Sequence, residues 1–138
     1  MNPPPPELTE AEWRIIKTVW DIEPCSAPDV HERLRTGTEW AYSTVRTLMD
    51  RMTAKRLLTA EKLKKLTLYR SAVTREQAQQ SEVLYTLIQA FEGAMTPMIQ
   101  RLIDTRIPSN QELDELEAII RLKRQAINQR EKGSRSAT

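Results

Sequence analysis

Cysteine, histidine, glycine and long apolar runs are all scarce in this sequence, and each scarcity removes a class of function. Cys25 is the one cysteine among 138 residues. It can close no internal disulfide, as expected of a reducing compartment, and in its Glu-Pro-Cys-Ser turn it reads as a bystander thiol. His31 is the one histidine; it falls on the edge of a short helix and reads as a solvated side chain. Together the two cannot build a metal-ligand set or a catalytic constellation. Three glycines leave no phosphate-cradling loop. The reading is therefore of a non-enzyme without cofactor or metal. No apolar run approaches the ~20 residues a membrane span needs. The start, MNPPPPEL, lacks the basic-then-apolar layout of a secretory signal, so a cytoplasmic location is expected.

Charge is present and unevenly placed. Residues 1–42 carry four Lys/Arg against eight Asp/Glu, residues 43–70 eight against two, and residues 71–138 nine against nine. A net +6 inside 28 residues of a chain whose total is +2 is a local anion-binding surface if the fold gathers it on one side.

The order of elements decides that. Pro3 to Pro6 favour extended geometry, so residues 1–7 are expected to form a loose tail. Thr9 and Glu12 have the spacing of a capping box, and Leu8 with Trp13 that of a hydrophobic staple. They open a first helix with Trp13, Ile16 and Trp20 on one face, Ile15 and Val19 beside them, and an end near Asp21. Ser26 with Asp29 caps a short second helix that turns Ala27, Val30 and Leu34 inward. The third helix, Tyr42 to Lys55, carries Val45, Leu48, Met49 and Met52 on one stripe. Two short strands follow, Leu58–Glu61 and Leu66–Arg70, separated by Lys62-Leu63-Lys64-Lys65. The connection lacks the Asn-Gly or Asp-Gly signal of a tight turn, which leaves the register open.

Three short helices and a basic hairpin make a winged helix-turn-helix, expected over residues 8–74. In that arrangement the third helix enters the major groove and the wing meets the backbone. Ser43, Thr44, Arg46 and Thr47 are then the expected base contacts. Thr9, Tyr42, Arg51, Lys55, Lys62, Lys64 and Lys65 are the expected phosphate contacts, and double-stranded DNA is the expected partner.

Residues 75–130 read as three more helices. Thr74 with Gln77 caps the first, whose apolar positions include Leu84, Leu87, Ile88 and Phe91, and Gly93 ends it. Thr96-Pro97 reads as the cap and first turn of the next, which carries Met98, Ile99, Leu102 and Ile103. Ser109 with Glu112 caps the last, with Leu113, Leu116 and Ile120 on its apolar side. Met49, Met52, Met95 and Met98 sit on apolar stripes as core fillers. Residues 131–138 read as a frayed polar tail. Helices apolar on one face bury too little alone, so pairing with the same three helices of a second chain is expected, as a two-fold dimer. The fold class is thus mainly α with a small β-hairpin wing, followed by a three-helix dimerisation arm. A ligand-sensing winged-helix regulator of the MarR type and a winged-helix protein-interaction module are the competing readings; the eight basic residues of 43–70 count against the latter.

At Thr44-Val45-Arg46-Thr47-Leu48-Met49-Asp50-Arg51-Met52, following Trp40, the sequence resembles the penicillinase-repressor family and its T-V-x-T-L-L-x-R-L recognition helix. The resemblance takes in Leu8 to Trp13, the Lys55-Arg56-Leu57-Leu58 exit and Tyr69, and more weakly Phe91-Glu92-Gly93, covering residues 7–128. It implies a dimer that represses genes, often for β-lactamase or an altered penicillin-binding protein, from a palindromic operator. It also implies release when a membrane sensor with a zinc-protease domain triggers cleavage in the arm. Some positions depart from the family. Ala41 stands where a capping Ser is frequent, and the wing lacks the glycine and proline that commonly follow its Tyr. The Cys-x-Cys tail of the copper-responsive branch is missing, and Arg101-Leu102 lies where the best-known members carry the cleaved Asn-Phe bond.

Overall fold

A computed structural model describes residues 7–136; the expected tail at 1–7 lies outside the described residues except for Glu7. The described elements are α1 (Glu10–Ile22), α2 (Ala27–Leu34), α3 (Tyr42–Ala54), β1 (Leu58–Leu63), β2 (Leu66–Ser71), α4 (Arg75–Phe91), α5 (Met95–Thr105) and α6 (Asn110–Ser136). This is a winged helix-turn-helix followed by three further helices. Internal contacts divide the chain into two compact units, Met1–Gly93 and Ala94–Thr138.

In the first unit, local signals start the helices and one core holds them. The Thr9 hydroxyl accepts the Glu12 N–H at 3.2 Å while Thr9 N–H donates to the Glu12 carboxylate at 2.9 Å. Ser26 and Asp29 reciprocate in the same way at the head of α2, as do Thr74 and Gln77 at the head of α4. Each box satisfies N–H groups that a helix start leaves unpaired. Ile15, Ile16, Val19, Val30, Val45, Met49, Met52, Leu57, Leu58 and Tyr69 then fill the core, with Trp13, Trp20 and Leu34 half-buried around it. Each fully buried aliphatic chain contributes roughly 1.5–3 kcal/mol. On α1 it is Ile15, Ile16 and Val19 that go deepest, while the two tryptophans flank them edge to face, 6.2 Å apart.

The hairpin is longer and tighter than the sequence signals. Its strands pair from Leu58 opposite Ser71 to Leu63 opposite Leu66, which leaves a two-residue turn at Lys64-Lys65. Lys64 adopts φ 58° without being a glycine. The register follows from what must point inward. Leu58 and Tyr69 are buried and lie on one face of the ladder, and a slip of one residue would expose both. A second anchor had no sequence signal: Cys25 bridges Tyr69, with Cys25 N–H donating to the Tyr69 carbonyl at 3.1 Å and Tyr69 N–H returning to the Cys25 carbonyl at 2.7 Å. Cys25 therefore serves as a one-residue third strand.

Burial pushes the Cys25 thiol up to about 11, helped by the charges of Asp29 and Glu23. The unfolded thiol titrates near 8.5. The folded state thus favours the neutral thiol, and the stability so gained is complete below about pH 8.5 and lost as pH rises toward 11. Urea unfolding from pH 8 to 11 should show a loss of roughly 3 kcal/mol that is absent from Cys25→Ala. Parallel profiles for the two chains would refute it.

The helix that follows the wing is tied to the first unit. Ala78 is buried in its core, the Arg75 guanidinium stacks over Trp20 at 4.8 Å, and Trp20 Nε1–H donates to Ser71 Oγ and the Val73 carbonyl. Two expectations fail further along. Ala94, not Thr96, is the cap of α5 and supplies no side-chain bond; the helix begins at Met95, with Pro97 in the third helical position. Glu92 and Gly93 both take positive φ, so the chain turns early, and proline is tolerated there because N–H groups of the first turn have no helical partner. A frayed tail is expected over 131–138; residues 131–136 are helical instead, and residues 137 and 138 lie outside the described residues. α6 continues to Ser136, since that polar stretch holds no proline and Gly133 alone costs only about 1 kcal/mol. No residue of α5 is buried, and the large apolar side chains of α6 are exposed.

Candidate nucleic-acid interface

The outward side of α3 gathers the expected base-contacting residues. Ser43, Thr44, Arg46 and Thr47 are exposed there with Tyr42, Asp50 and Arg51, while Val45, Met49 and Met52 hold the opposite side in the core. Lys62, Lys64 and Lys65 are exposed at the end of the wing. The geometry places these residues on two presented surfaces, the helix and the hairpin.

Two of the expected phosphate contacts carry structural duties as well. Lys55 Nζ donates to Glu12 Oε2 at 2.8 Å, joining the C-terminus of α3 to the first turn of α1. Glu12 is 3% exposed. Burial pushes its carboxyl up, but the bonds from Lys55 and Thr9 outweigh that and hold it below the ordinary range. The Thr9 hydroxyl is committed as the acceptor of the α1 cap, which leaves its O–H to donate.

At its start α3 is incomplete. Ala41 has the extended backbone of a cap, φ −69° and ψ 158°, and makes no side-chain bond. Since that geometry already suits serine, Ala41→Ser should raise stability by roughly 0.5–1 kcal/mol, read as a shifted denaturant midpoint at unchanged slope. An unchanged or lowered midpoint would show that the added hydroxyl does not reach the helix. The segment before α3 is held from another direction. His31 Nε2 lies 3.1 Å from the Trp40 carbonyl, to which it donates, and its ring meets Tyr42 edge on at 6.0 Å. His31 is thus a half-buried brace, not the solvated side chain expected.

At its end α3 closes with two bonds, Arg56 N–H to the Thr53 carbonyl at 3.1 Å and Leu57 N–H to the Met52 carbonyl at 2.8 Å. This reciprocal pattern favours glycine at the left-handed position. Here Arg56 occupies it at φ 67°, an arrangement that composition alone did not reveal.

The residue the sequence reading left out is Asp50. Arg46 Nε lies 3.3 Å from each Asp50 carboxylate oxygen, and the hydroxyl of buried Tyr69 donates to Asp50 Oδ1 at 3.1 Å. The Arg46 guanidinium is held further on its charged side by a hydrogen bond to Tyr42 and by the charge of Asp50. Spacing of four residues on one helix signals the Arg46–Asp50 pair; nothing in the sequence signals the link to the wing.

Among the described residues no group of three or more His, Cys, Asp or Glu is placed to hold a metal ion, and no helix is long and apolar enough to cross a membrane.

The methicillin resistance regulatory protein MecI of Staphylococcus aureus is 23% identical over 117 residues, covering 85% of this chain and 95% of its own length. The penicillinase repressor of Staphylococcus aureus is 22% identical over 114 residues, 83% of this chain and 90% of that protein. Among solved structures, the monomeric form of Bacillus licheniformis BlaI in complex with the blaP half-operator matches at a TM-score of 0.47 and 20% identity. That match spans 53% of this chain and 89% of that one. The model of the penicillinase repressor family matches residues 8–122. With a winged helix at its start and a family match across most of its length, the chain belongs to the penicillinase-repressor family of transcriptional regulators.

Proposed function

We propose that the protein is a dimeric repressor that inserts α3 of each copy into successive major grooves of a palindromic operator. The observation that carries this reading is the exposed set Ser43, Thr44, Arg46 and Thr47 on α3, with the Lys62, Lys64 and Lys65 wing, in a chain of the penicillinase-repressor family. Base edges accept the first set and phosphates the second.

The dimer reading rests on apolar faces with nothing over them. Leu84, Ile88, Ile99, Leu102, Leu113, Leu116, Ile120 and Ile127 are all exposed, while Leu87, Phe91, Met98 and Ile103 are half-buried. The charges of α6 favour a second copy running the other way. Residues 112–117 hold Glu112, Asp114, Glu115 and Glu117 with no cation, whereas residues 118–130 hold Arg121, Lys123, Arg124 and Arg130 with no acid. At about 100° per residue, Leu113, Leu116, Ile120 and Ile127 fall on one stripe. An antiparallel copy centred on Ile120 sets Leu113 opposite the partner's Ile127, Glu117 near the partner's Arg124 and Glu112 near the partner's Arg130. A parallel copy would stack like charges. For the end of repression, the family resemblance supports a cut in the arm by a membrane sensor protease; Arg101-Leu102, at the corresponding place but unlike the family's Asn-Phe, lies on an α5 with no buried residue.

Selection from a random pool of duplex DNA tests the reading. Recovered sites should be inverted repeats. Sites without two-fold symmetry would defeat the dimeric mode, and no enrichment over input would defeat DNA recognition itself.

A further inference from the structure

We propose that Asp50 is a positioning residue that sets the sequence preference of α3 by fixing Arg46 end-on toward a guanine, an inference that rests on α3 reading DNA. An exposed pair at i and i+4 is ordinarily mobile and weak. This one is different because its acid is anchored. The Tyr69 hydroxyl bonds Asp50 Oδ1 at 3.1 Å, and Tyr69 is 1% exposed with its backbone bonded twice to Cys25. Asp50 is therefore held from the core and the wing, and Arg46 Nε meets both of its oxygens at 3.3 Å.

The chemistry of the pair follows from which donors remain. With Nε–H taken by Asp50 and another N–H by Tyr42, the guanidinium still offers N–H groups on both of its terminal nitrogens. That planar fork matches guanine O6 and N7. An ionised carboxylate accepts and never donates, so Asp50 cannot bind the phosphates on either side. It repels them, and it also lowers the pull of Arg46 toward them. A free Arg46 would contact backbone on any sequence. An Arg46 tied to Asp50 gives up some of that general attraction for a directed contact.

The experiment compares the full-length protein with Asp50→Ala, Asp50→Asn, Tyr69→Phe, Arg46→Ala and the Arg46→Ala/Asp50→Ala pair. Each binds a selected site, every single-base variant of it, and an unrelated duplex, over a range of salt. Asp50→Ala should lower discrimination at one guanine position by about tenfold or more. It should bind the unrelated duplex more tightly, with a salt slope steeper by up to about 0.9. Asp50→Asn keeps one acceptor and should fall between, and Tyr69→Phe should shift the same position less. In the Arg46→Ala background, Asp50→Ala should change discrimination no further. A merely structural role would weaken every position alike and spare the unrelated duplex, and that result overturns the proposal. So does full discrimination in Asp50→Ala when Arg46→Ala has lost it. If Arg46→Ala itself changes neither affinity nor preference, the failure lies with α3 as the reading helix.

Discussion

Ile120→Asp should yield a folded chain that runs at monomer mass and releases an inverted-repeat site at concentrations where the parent holds it. Ile120 is 58% exposed in the single chain, so the substitution removes little from the protein's own core. In the proposed dimer the same position sits at the two-fold axis, where two Asp side chains would face each other. Burying unpaired like charges costs several kcal/mol, more than one helix pair can offset. The effect on DNA is larger than on assembly alone, because two linked half-sites gain about 10²–10⁴ in affinity over one. Leu122→Asp makes the control. Leu122 is exposed too, but lies on the far side of α6 from the stripe, so its dimer should persist. Light scattering and a gel shift on the same samples decide the matter. Dimer mass in Ile120→Asp would refute the register, and monomer mass in both variants would refute the choice of face. Exchange of charge between Glu117 and Arg124 gives an independent check. Either reversal alone should weaken the dimer, and the two together should restore it.

Removing the wing cations should weaken binding to every duplex and leave sequence preference nearly intact. The changes have to respect the hairpin. Lys62 pairs with Thr67 inside the ladder, so threonine suits it; Lys64 has a positive φ, which asparagine tolerates; Lys65 can become serine. Each phosphate contact contributes about 0.9 to the slope of log affinity against log salt on duplex DNA. If all three lysines meet phosphates, the Lys62→Thr/Lys64→Asn/Lys65→Ser chain should have a slope smaller by roughly 2.7 per copy. A slope equal to the parent's would remove the wing from the interface. Altered preference at particular bases would mean the wing reads sequence.

Much of this architecture was legible because it is written in local rules. Capping pairs at Thr9, Ser26, Thr74 and Ser109, the apolar stripe of α3 and the concentration of cations in 43–70 each depend on residues within one turn or one hairpin. What escaped notice depends on partners far apart in the chain. Cys25 and Tyr69 are joined across the α1–α2 turn and β2 by backbone groups, which every residue type but proline carries, so their identity announces nothing. Asp50 looks like an ordinary surface acid until the wing brings the Tyr69 hydroxyl to it. Lys55 reads as a free cation until Glu12 arrives from α1. The start of α5 at Met95 has another cause. Capping and breaking residues there conflict, and tertiary geometry at Glu92-Gly93 decides between them.

The hairpin has one further consequence, for solubility. A two-stranded sheet has two outer edges, and each is a template for adding a strand from another molecule. On the β2 side Cys25 occupies part of the edge. The β1 side has no neighbouring strand among the described residues and ends on exposed Leu63, with Leu66 exposed beside it. Lys62, Lys64 and Lys65 surround that apolar tip with like charge, which opposes edge-to-edge pairing of copies. In this chain, opposition to self-association and the proposed hold on an anionic partner would draw on the same three side chains.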